Sequence, residues 1–268
     1  GVPLLDYKGE LGKRYNPNAV AQYALGFYEK YLDHGESGHR ASFLKQADWF
    51  LRAGRELSDD VVLWEYNFDF ENRQPLKNPW KSALAQGQAV SVLLRAYKET
   101  KEGKYLSRAK KGFNAFRHDM YDHPGGVVSF RGDDVWLEEF VLNPPNHVLN
   151  GFVWALWGVR DYSVMLDDPY ANDLYARAVD TLKRNIEKYD IGFWTLYDFQ
   201  EKYTLRNPRM PASLYYQRLH SAQMLGTYRL TGMDTFARYH ERWTAYLGNP
   251  FYVLASQIWK CVFKLVYW

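Results

Sequence analysis

Two adjacent acids, Glu138 and Glu139, stand one proline-broken turn ahead of a nearly all-apolar segment that carries a single amide, Asn150. From Leu149 onward apolar residues take almost every helical position, which predicts a helix buried on most sides rather than along one stripe. An unpaired buried amide costs about 1–3 kcal/mol, so Asn150 needs a partner, either a loop backbone or something bound. Acids, turn and amide together read as the wall of a substrate cleft. Two more polar clusters break apolar helical context: Gln86-Gly87-Gln88, and the run Tyr215 to His220 with Gln223. Tyr216, His220 and Gln223 fall at i, i+4 and i+7, hence on one helical face. Three hydrogen-bonding groups in line suit a polar ligand better than a core; the competing reading is a network satisfied between helices.

The elements that must position these groups are helices in pairs. Asn16-Pro17 opens the first, since proline's missing N–H costs nothing at the first helical position, and Ala21, Leu25, Tyr28 and Leu32 carry it to Gly35. Phe43, Ala47, Phe50 and Leu51 mark a second. A third begins near Pro79 and continues through Val90, Leu94 and Tyr97, with Gln86-Gly87-Gln88 interrupting it, and a fourth spans Lys104 to His118. The fifth holds Asn150, the sixth runs from Pro169 to Tyr189, the seventh carries Tyr216, His220 and Tyr228, and the eighth starts at Asp234 with Phe236, His240, Trp243 and Leu247 on one face.

Eight helices in four hairpins, joined by extended stretches such as 61–66, 126–130 and 192–197, predict an all-α fold: an incomplete α/α toroid with short β-strands or hairpins in the connecting loops. The three polar clusters lie on odd-numbered helices, which would form the inner ring. Turns within pairs are brief and segments between pairs are long, so binding groups should gather at the end bearing the longer loops. One domain is expected over 1–249. The aromatic tail over 250–268 carries Lys260 and Lys264 and is short, which suits packing or an interfacial amphipathic helix touching a membrane surface rather than a span.

Composition narrows the function. Of 268 residues, 18% are aromatic, with 22 Tyr and 10 Trp, whose flat faces and hydrogen-bonding edges suit sugar rings. The formal charge of +3 is too small to argue for a nucleic-acid partner, and Arg108, Lys110 and Lys111 read as a solvated face. Cys261 stands alone, which excludes an internal disulfide and a CxxC metal site. No GxGxxG, P-loop, GxSxG or HExxH occurs and the histidines are scattered, so neither a metal nor a cofactor is expected. No signal peptide opens the sequence, but it begins at Gly1 rather than Met, as a processed or trimmed product with a missing upstream targeting segment would; localisation stays open, with a cytoplasmic or membrane-associated place in a bacterium the expectation.

At the three polar clusters the chain resembles the D-glucuronyl C5-epimerase family in its C-terminal catalytic domain. The matching text is Tyr15-Asn16-Pro17 with Ala21-Gln22-Tyr23, Trp80 to Gln88 (WKSALAQGQ), Leu94-Arg95-Ala96-Tyr97, Glu138-Glu139, Val148-Leu149-Asn150-Gly151-Phe152, Tyr189-Asp190 with Gly192, Leu196-Tyr197-Asp198, and Tyr216 with His220. Each piece is weak, but their ordered recurrence over roughly residues 1–247 is specific. The resemblance implies an incomplete α/α barrel and a cofactor-independent enzyme that inverts C5 of glucuronate within a heparan-type or other uronate polysaccharide. The β-rich N-terminal portion that accompanies this domain in animal members is missing from the sequence.

The resemblance also implies roles. Glu139 and Tyr216 become opposed proton-transfer groups and Tyr197 a hydrogen-bonding or relaying neighbour, while Gln86, Gln88, Asn150, Arg218, His220, Tyr23 and Trp80 contact an acidic polysaccharide. The hydrogen removed lies α to a carboxylate, so the step needs a base, stabilisation of an enolate-like dianion, and groups on both ring faces. A tyrosine titrates near ~10 unless a cation lowers it, with Arg218 the candidate. Two positions depart from the family. Phe140-Val141 replaces Tyr-Pro after the second acid, and Gln200 stands where animal members have an arginine, whose bidentate pairing with a carboxylate glutamine cannot reproduce. Three alternatives stay open: a β-eliminating uronate lyase sharing the first proton abstraction, a catalytically impaired polysaccharide-binding relative, and a paired-carboxylate glycosidase using Asp69 and Glu139.

Overall fold

The computed structural model describes residues 1–204 and 207–267. Four helical hairpins are formed by α1 (Pro17–His34) and α2 (Ser37–Ala53), α3 (Ala83–Thr100) and α4 (Gly103–Phe113), α5 (Leu149–Leu166) and α6 (Pro169–Asn185), and α7 (Leu214–Thr231) and α8 (Asp234–Gly248). A further helix, α9 (Pro250–Tyr267), forms the tail, separated from α8 by the extended Asn249. The odd helices of the hairpins pack successively on one another, α1 on α3, α3 on α5 and α5 on α7, and each even helix backs its partner. The result is an incomplete α/α toroid with α1, α3, α5 and α7 as its inner arc.

Helix starts follow side-chain capping. Asn16 accepts from the Ala19 amide at 2.9 Å ahead of Pro17, and Asp168 accepts from the Ala171 amide at 2.9 Å ahead of Pro169. Ser82 and Ser213 cap α3 and α7 in the same way. The third helix therefore begins at Ala83, not near Pro79. Residues just before it are held extended instead, because Trp80 exchanges backbone hydrogen bonds with Tyr66 at 2.8 and 3.1 Å.

Gln86-Gly87-Gln88 does not interrupt α3, which runs through it unbroken. Gly87 is there for packing. A Cβ on Gly158 of α5 would come within 2.4 Å of the Gly87 carbonyl oxygen, so the two backbones touch where side chains would hold them apart. That close approach goes with the burial of every α3 residue from Ala83 to Leu94.

The connecting loops carry four antiparallel strand pairs: β1 (Leu5–Asp6) with β2 (Lys13–Arg14), β3 (Arg55–Glu56) with β4 (Val62–Leu63), β5 (Phe70–Glu71) with β6 (Pro75–Leu76), and β7 (Val128–Arg131) with β8 (Asp134–Leu137). Beside the main helical core lies a smaller aromatic cluster built from Tyr66, Phe68, Trp80 and Phe140, with Tyr7, Phe70 and Tyr197 against it. Tyr66 and Trp80 stack face to face at 3.7 Å. This cluster sits where the N-terminal ends of the inner helices meet the longer loops.

Helix α9 docks by one face. Lys260 Nζ donates to the Pro211 carbonyl at 2.8 Å, and the Tyr267 hydroxyl donates to the Asn72 carbonyl at 3.3 Å. Its other face leaves Phe251, Leu254, Ile258, Val262 and Leu265 exposed. Among the described residues no helix is long and apolar enough to cross a membrane.

Candidate active site

A cleft of about 340 Å³ opens at the aromatic end of the arc. It is walled by Asn16 and Asn18 at the start of α1, Trp80 and Leu84 at the start of α3, Tyr216 in the first turn of α7, and Glu139, Phe140 and Tyr197 from loops. Helix N-termini carry partial positive charge, so three of them facing one cleft favour an anionic group there.

Backbone bonds fix the two loop residues. The Ala83 amide donates to the Glu138 carbonyl at 2.8 Å, and the buried Glu138 carboxylate meets His147 Nδ1 at 2.6 Å, so Glu138 is the clamp and Glu139 points onward. Tyr197 is held by its amide to the Met210 carbonyl at 2.8 Å and by its carbonyl to the Leu149 amide at 3.2 Å.

Glu139 lies directly on the first turn of α5. A Cβ on Gly151 would fall 2.2 Å from Glu139 Oε2 and 2.5 Å from its Cβ, so only glycine leaves the carboxyl its seat. Asn150 Nδ2 reaches Oε2 at 3.4 Å. Burial raises the Glu139 pKa to about 8, partly offset by hydrogen bonding from the Tyr197 phenol. Tyr197 and Tyr216 meet edge to face with ring centroids 4.8 Å apart. Burial, and then the Glu139 charge, push Tyr216 up to about 12 and Tyr197 well above its ordinary range. Carboxyl and two phenols thus form one interacting row along the cleft.

The other expected contacts divide. Trp80 lines the cleft, with its indole N–H donating to the Phe68 carbonyl at 2.9 Å. Asn150 touches Glu139 from behind, and its Oδ1 is buried without a partner among the described residues. Gln86 is spent on structure, donating to the Val62 and Gly112 carbonyls at 2.6 and 2.8 Å and accepting from the Trp64 amide. Gln88 lies two residues farther along α3 on the opposite face, pairs with Gln22 and lines a different cavity. Tyr23 is exposed against Phe27 and does not line the cleft.

Arg218 is exposed and away from the cleft, and no cation stands among the cleft's described lining residues. The cation expected to lower a phenol pKa is therefore not supplied by Arg218, in keeping with the upward shifts. His220 is fully buried, bonds Thr195 Oγ1 at 2.9 Å, and is held neutral by burial with a pKa of about 3. Gln223 donates to the Asn150 carbonyl at 2.9 Å. Of the three groups in line on α7, only Tyr216 faces the cleft; His220 is tied to the loop residue Thr195 and Gln223 to α5. Asp69, half of the paired-carboxylate alternative, sits outside the cleft on an exposed turn, bound to Lys77 at 2.8 Å and to the Asn78 amide at 2.9 Å.

Sequence reading missed Tyr7, Asn18, Tyr66, Glu71 and Tyr267, all of which line the cleft. Asn16 was legible only as a helix cap, yet its Nδ2 also donates to the Tyr7 hydroxyl at 2.6 Å. Arg73 was missed as well. Its guanidinium grips the buried Asp198 through two bonds of 2.7 Å and donates to Asn207 and the Pro208 carbonyl at 2.8 Å. Gln200, at the position of the family arginine, faces this same Asp198–Asn207 cluster rather than the cleft. Phe140 is 6% exposed and packs its ring 5.8 Å from Trp80.

A family model of the D-glucuronyl C5-epimerase C-terminus matches residues 58–245. The chain is similar to D-glucuronyl C5-epimerase of Caenorhabditis elegans, 33% identical over 174 residues that cover 60% of this chain and 28% of the relative. It is also similar to an uncharacterized protein of Methanocaldococcus jannaschii, 29% identical over 207 residues covering 75% of this chain and 63% of that one. It thus spans less than two thirds of either curated relative. Among solved structures, cellobiose 2-epimerase from Bacillus thermoamylovorans superposes with a TM-score of 0.60 at 11% identity, over 87% of this chain and 59% of that one. At that identity the likeness shows the fold alone. Glu139, Tyr197 and Tyr216 all lie inside the segment matched by the family model, and on the strength of that match the chain belongs to the D-glucuronyl C5-epimerase family.

Proposed function

We propose that the protein epimerises C5 of a uronate residue within an acidic polysaccharide, by proton abstraction and return and without a cofactor. The observation that carries this reading is the row Glu139–Tyr197–Tyr216 at the cleft, with a carboxyl poised near pH 8. A base whose pKa lies near the working pH combines a populated ionised form with real driving force for proton transfer. Family membership supports the same chemistry.

In the proposed step, ionised Glu139 takes the proton from C5, and the electron pair of the broken C–H bond delocalises into the adjoining carboxylate as an enolate-like dianion. Tyr216, protonated up to about pH 12, delivers its phenolic proton to C5 from the other ring face and leaves as phenolate. Tyr197 interacts with both groups, so one proton passing from Glu139 through Tyr197 to Tyr216 restores the starting state. The inner-helix N-termini contribute favourable field at the dianion.

The test is incubation with heparosan and related uronate polymers in deuterated water, following C5 by NMR. Deuterium entry with iduronate formation is expected, and Tyr216→Phe should abolish inversion while binding persists. New unsaturated chain ends would replace the reading with a β-eliminating lyase. Binding without exchange would replace it with a polysaccharide-binding relative, and neither binding nor exchange would end the uronate reading.

A further inference from the structure

A second cavity, of about 380 Å³, borders strand β2 of the β1–β2 hairpin. Its lining includes Lys13, Arg14, Tyr15, Trp49, Glu65 and Asn67. We propose that this groove is a second subsite for the same acidic polysaccharide, seating a neighbouring negatively charged sugar through Lys13 and Arg14 and stacking it on Tyr15 and Trp49. The proposal rests on the uronate-polymer reading of the cleft.

Charge points to the ligand class. Lys13 and Arg14 are exposed and make no ion pair among the described residues. The one acid of the groove, Glu65, is already neutralised by Arg55 through bonds of 2.5 and 2.7 Å. The groove therefore carries two positive charges without an ion pair of their own, Asp6 across from Lys13 being held by Lys8 at 3.3 Å, while the cleft's described lining holds two acids, Glu71 and Glu139, and no cation. A polyanion drawn to this face meets the groove first, and local field rather than net charge governs such recruitment.

Shape and adjacency point to a sugar chain. Tyr15 is 49% exposed and its ring lies 5.6 Å from Trp49, giving the open aromatic surface on which pyranose rings rest. Tyr7 on the cleft side and Phe68 on the groove side pack ring to ring with centroids 4.8 Å apart, so the two cavities adjoin. Both cavities also border the start of α1, with Pro17 lining one and Asn16 and Asn18 the other. A polymer can occupy both at once, and the second contact then costs no further loss of translational freedom. Lys13, Arg14, Tyr15 and Trp49 lie ahead of the segment matched by the family model, whereas Glu65 and Asn67 lie within it.

The experiment titrates the full chain and its Lys13→Gln/Arg14→Gln double variant with heparosan and with heparin, using dextran as the neutral polymer, at low and high salt. C5 exchange is measured in parallel. Both side chains are exposed, so equal thermal melts are expected. The double variant should bind heparosan roughly fivefold more weakly at low salt and lose most of the salt dependence, with the loss of exchange appearing in KM rather than kcat. Tyr15→Ala should weaken binding while keeping the salt dependence. Unchanged binding in the double variant, equal binding of dextran, or no binding of either acidic polymer by the unaltered protein would overturn the groove. Exchange that persists with an unchanged KM would overturn the groove and leave the epimerase reading intact. Binding that falls in the double variant, in a protein that never exchanges C5, would uphold the groove and retire the epimerase reading.

Discussion

Replacing Glu139 by Gln should abolish exchange and at the same time stabilise the protein, increasingly so as pH rises. The folded carboxyl has a pKa of about 8 against an ordinary value of 4.5, so the folded chain holds this proton more tightly than the unfolded chain does. Between those values the unfolded state has released the proton and the folded state has not. Unfolding stability therefore falls as pH rises, by about 1.4 kcal/mol per unit. The penalty is absent below about pH 4.5, reaches about 3 kcal/mol at pH 7, and levels off above pH 8 near 5 kcal/mol. A glutamine of the same shape keeps the seat beside Gly151 and does not titrate. In a chain of this size 1 kcal/mol moves the melting temperature by about 2–4 °C. The gap between Glu139→Gln and the unaltered protein should therefore open by roughly 6–12 °C between pH 4.5 and pH 7, read by thermal melts in matched buffers. Parallel melting curves across that range would refute the placement of this carboxyl in a desolvating seat.

Exchange at C5 should rise with pH through about 8 as Glu139 ionises and stay level until Tyr216 approaches its own loss of a proton near 12, as a pH–rate profile would record. Gly151→Ala places a methyl 2.2 Å from Glu139 Oε2; we expect at least a hundredfold loss of exchange for about 1–3 kcal/mol of stability, measured by NMR exchange and denaturant titration. Arg73→Met strands the fully buried Asp198 without its guanidinium; about 3–5 kcal/mol of stability should be lost, and a loss under about 1 kcal/mol would mean that the loop following Asp198 is held by something else.

Periodicity and capping carried much of the fold into the sequence. Asn16-Pro17, Ser82, Asp168-Pro169 and Ser213 mark helix starts that local chemistry alone enforces. The start of α3 was misplaced because Asn78-Pro79 looks like a helix opening, whereas pairing of Trp80 with Tyr66, far from it in sequence, keeps that stretch extended. The position of Arg218 was legible without coordinates. Two residues from Tyr216 on a helix is a turn of about 200°, which sends Arg218 to the opposite face.

The site divides along the same line. Glu139, Tyr197 and Tyr216 could be picked out in the sequence by residue type and family order, since the chemistry requires a carboxyl and phenols. Helical period likewise placed Tyr216, His220 and Gln223 on one face, but it could not set their height, and burial between helices takes the last two out of reach of the cleft. Only the packed structure puts the carboxyl against Gly151, where loss of water raises its pKa, and brings Tyr197 from a loop into contact with both partners. The same packing joins Arg73 to Asp198 across 125 residues of chain. What the sequence by itself determined was therefore the chemical inventory and the local elements, because those depend on residue type and on contacts a turn away. Desolvation and the meeting of side chains distant along the chain were decided by the tertiary structure, since both exist only once the helices have packed.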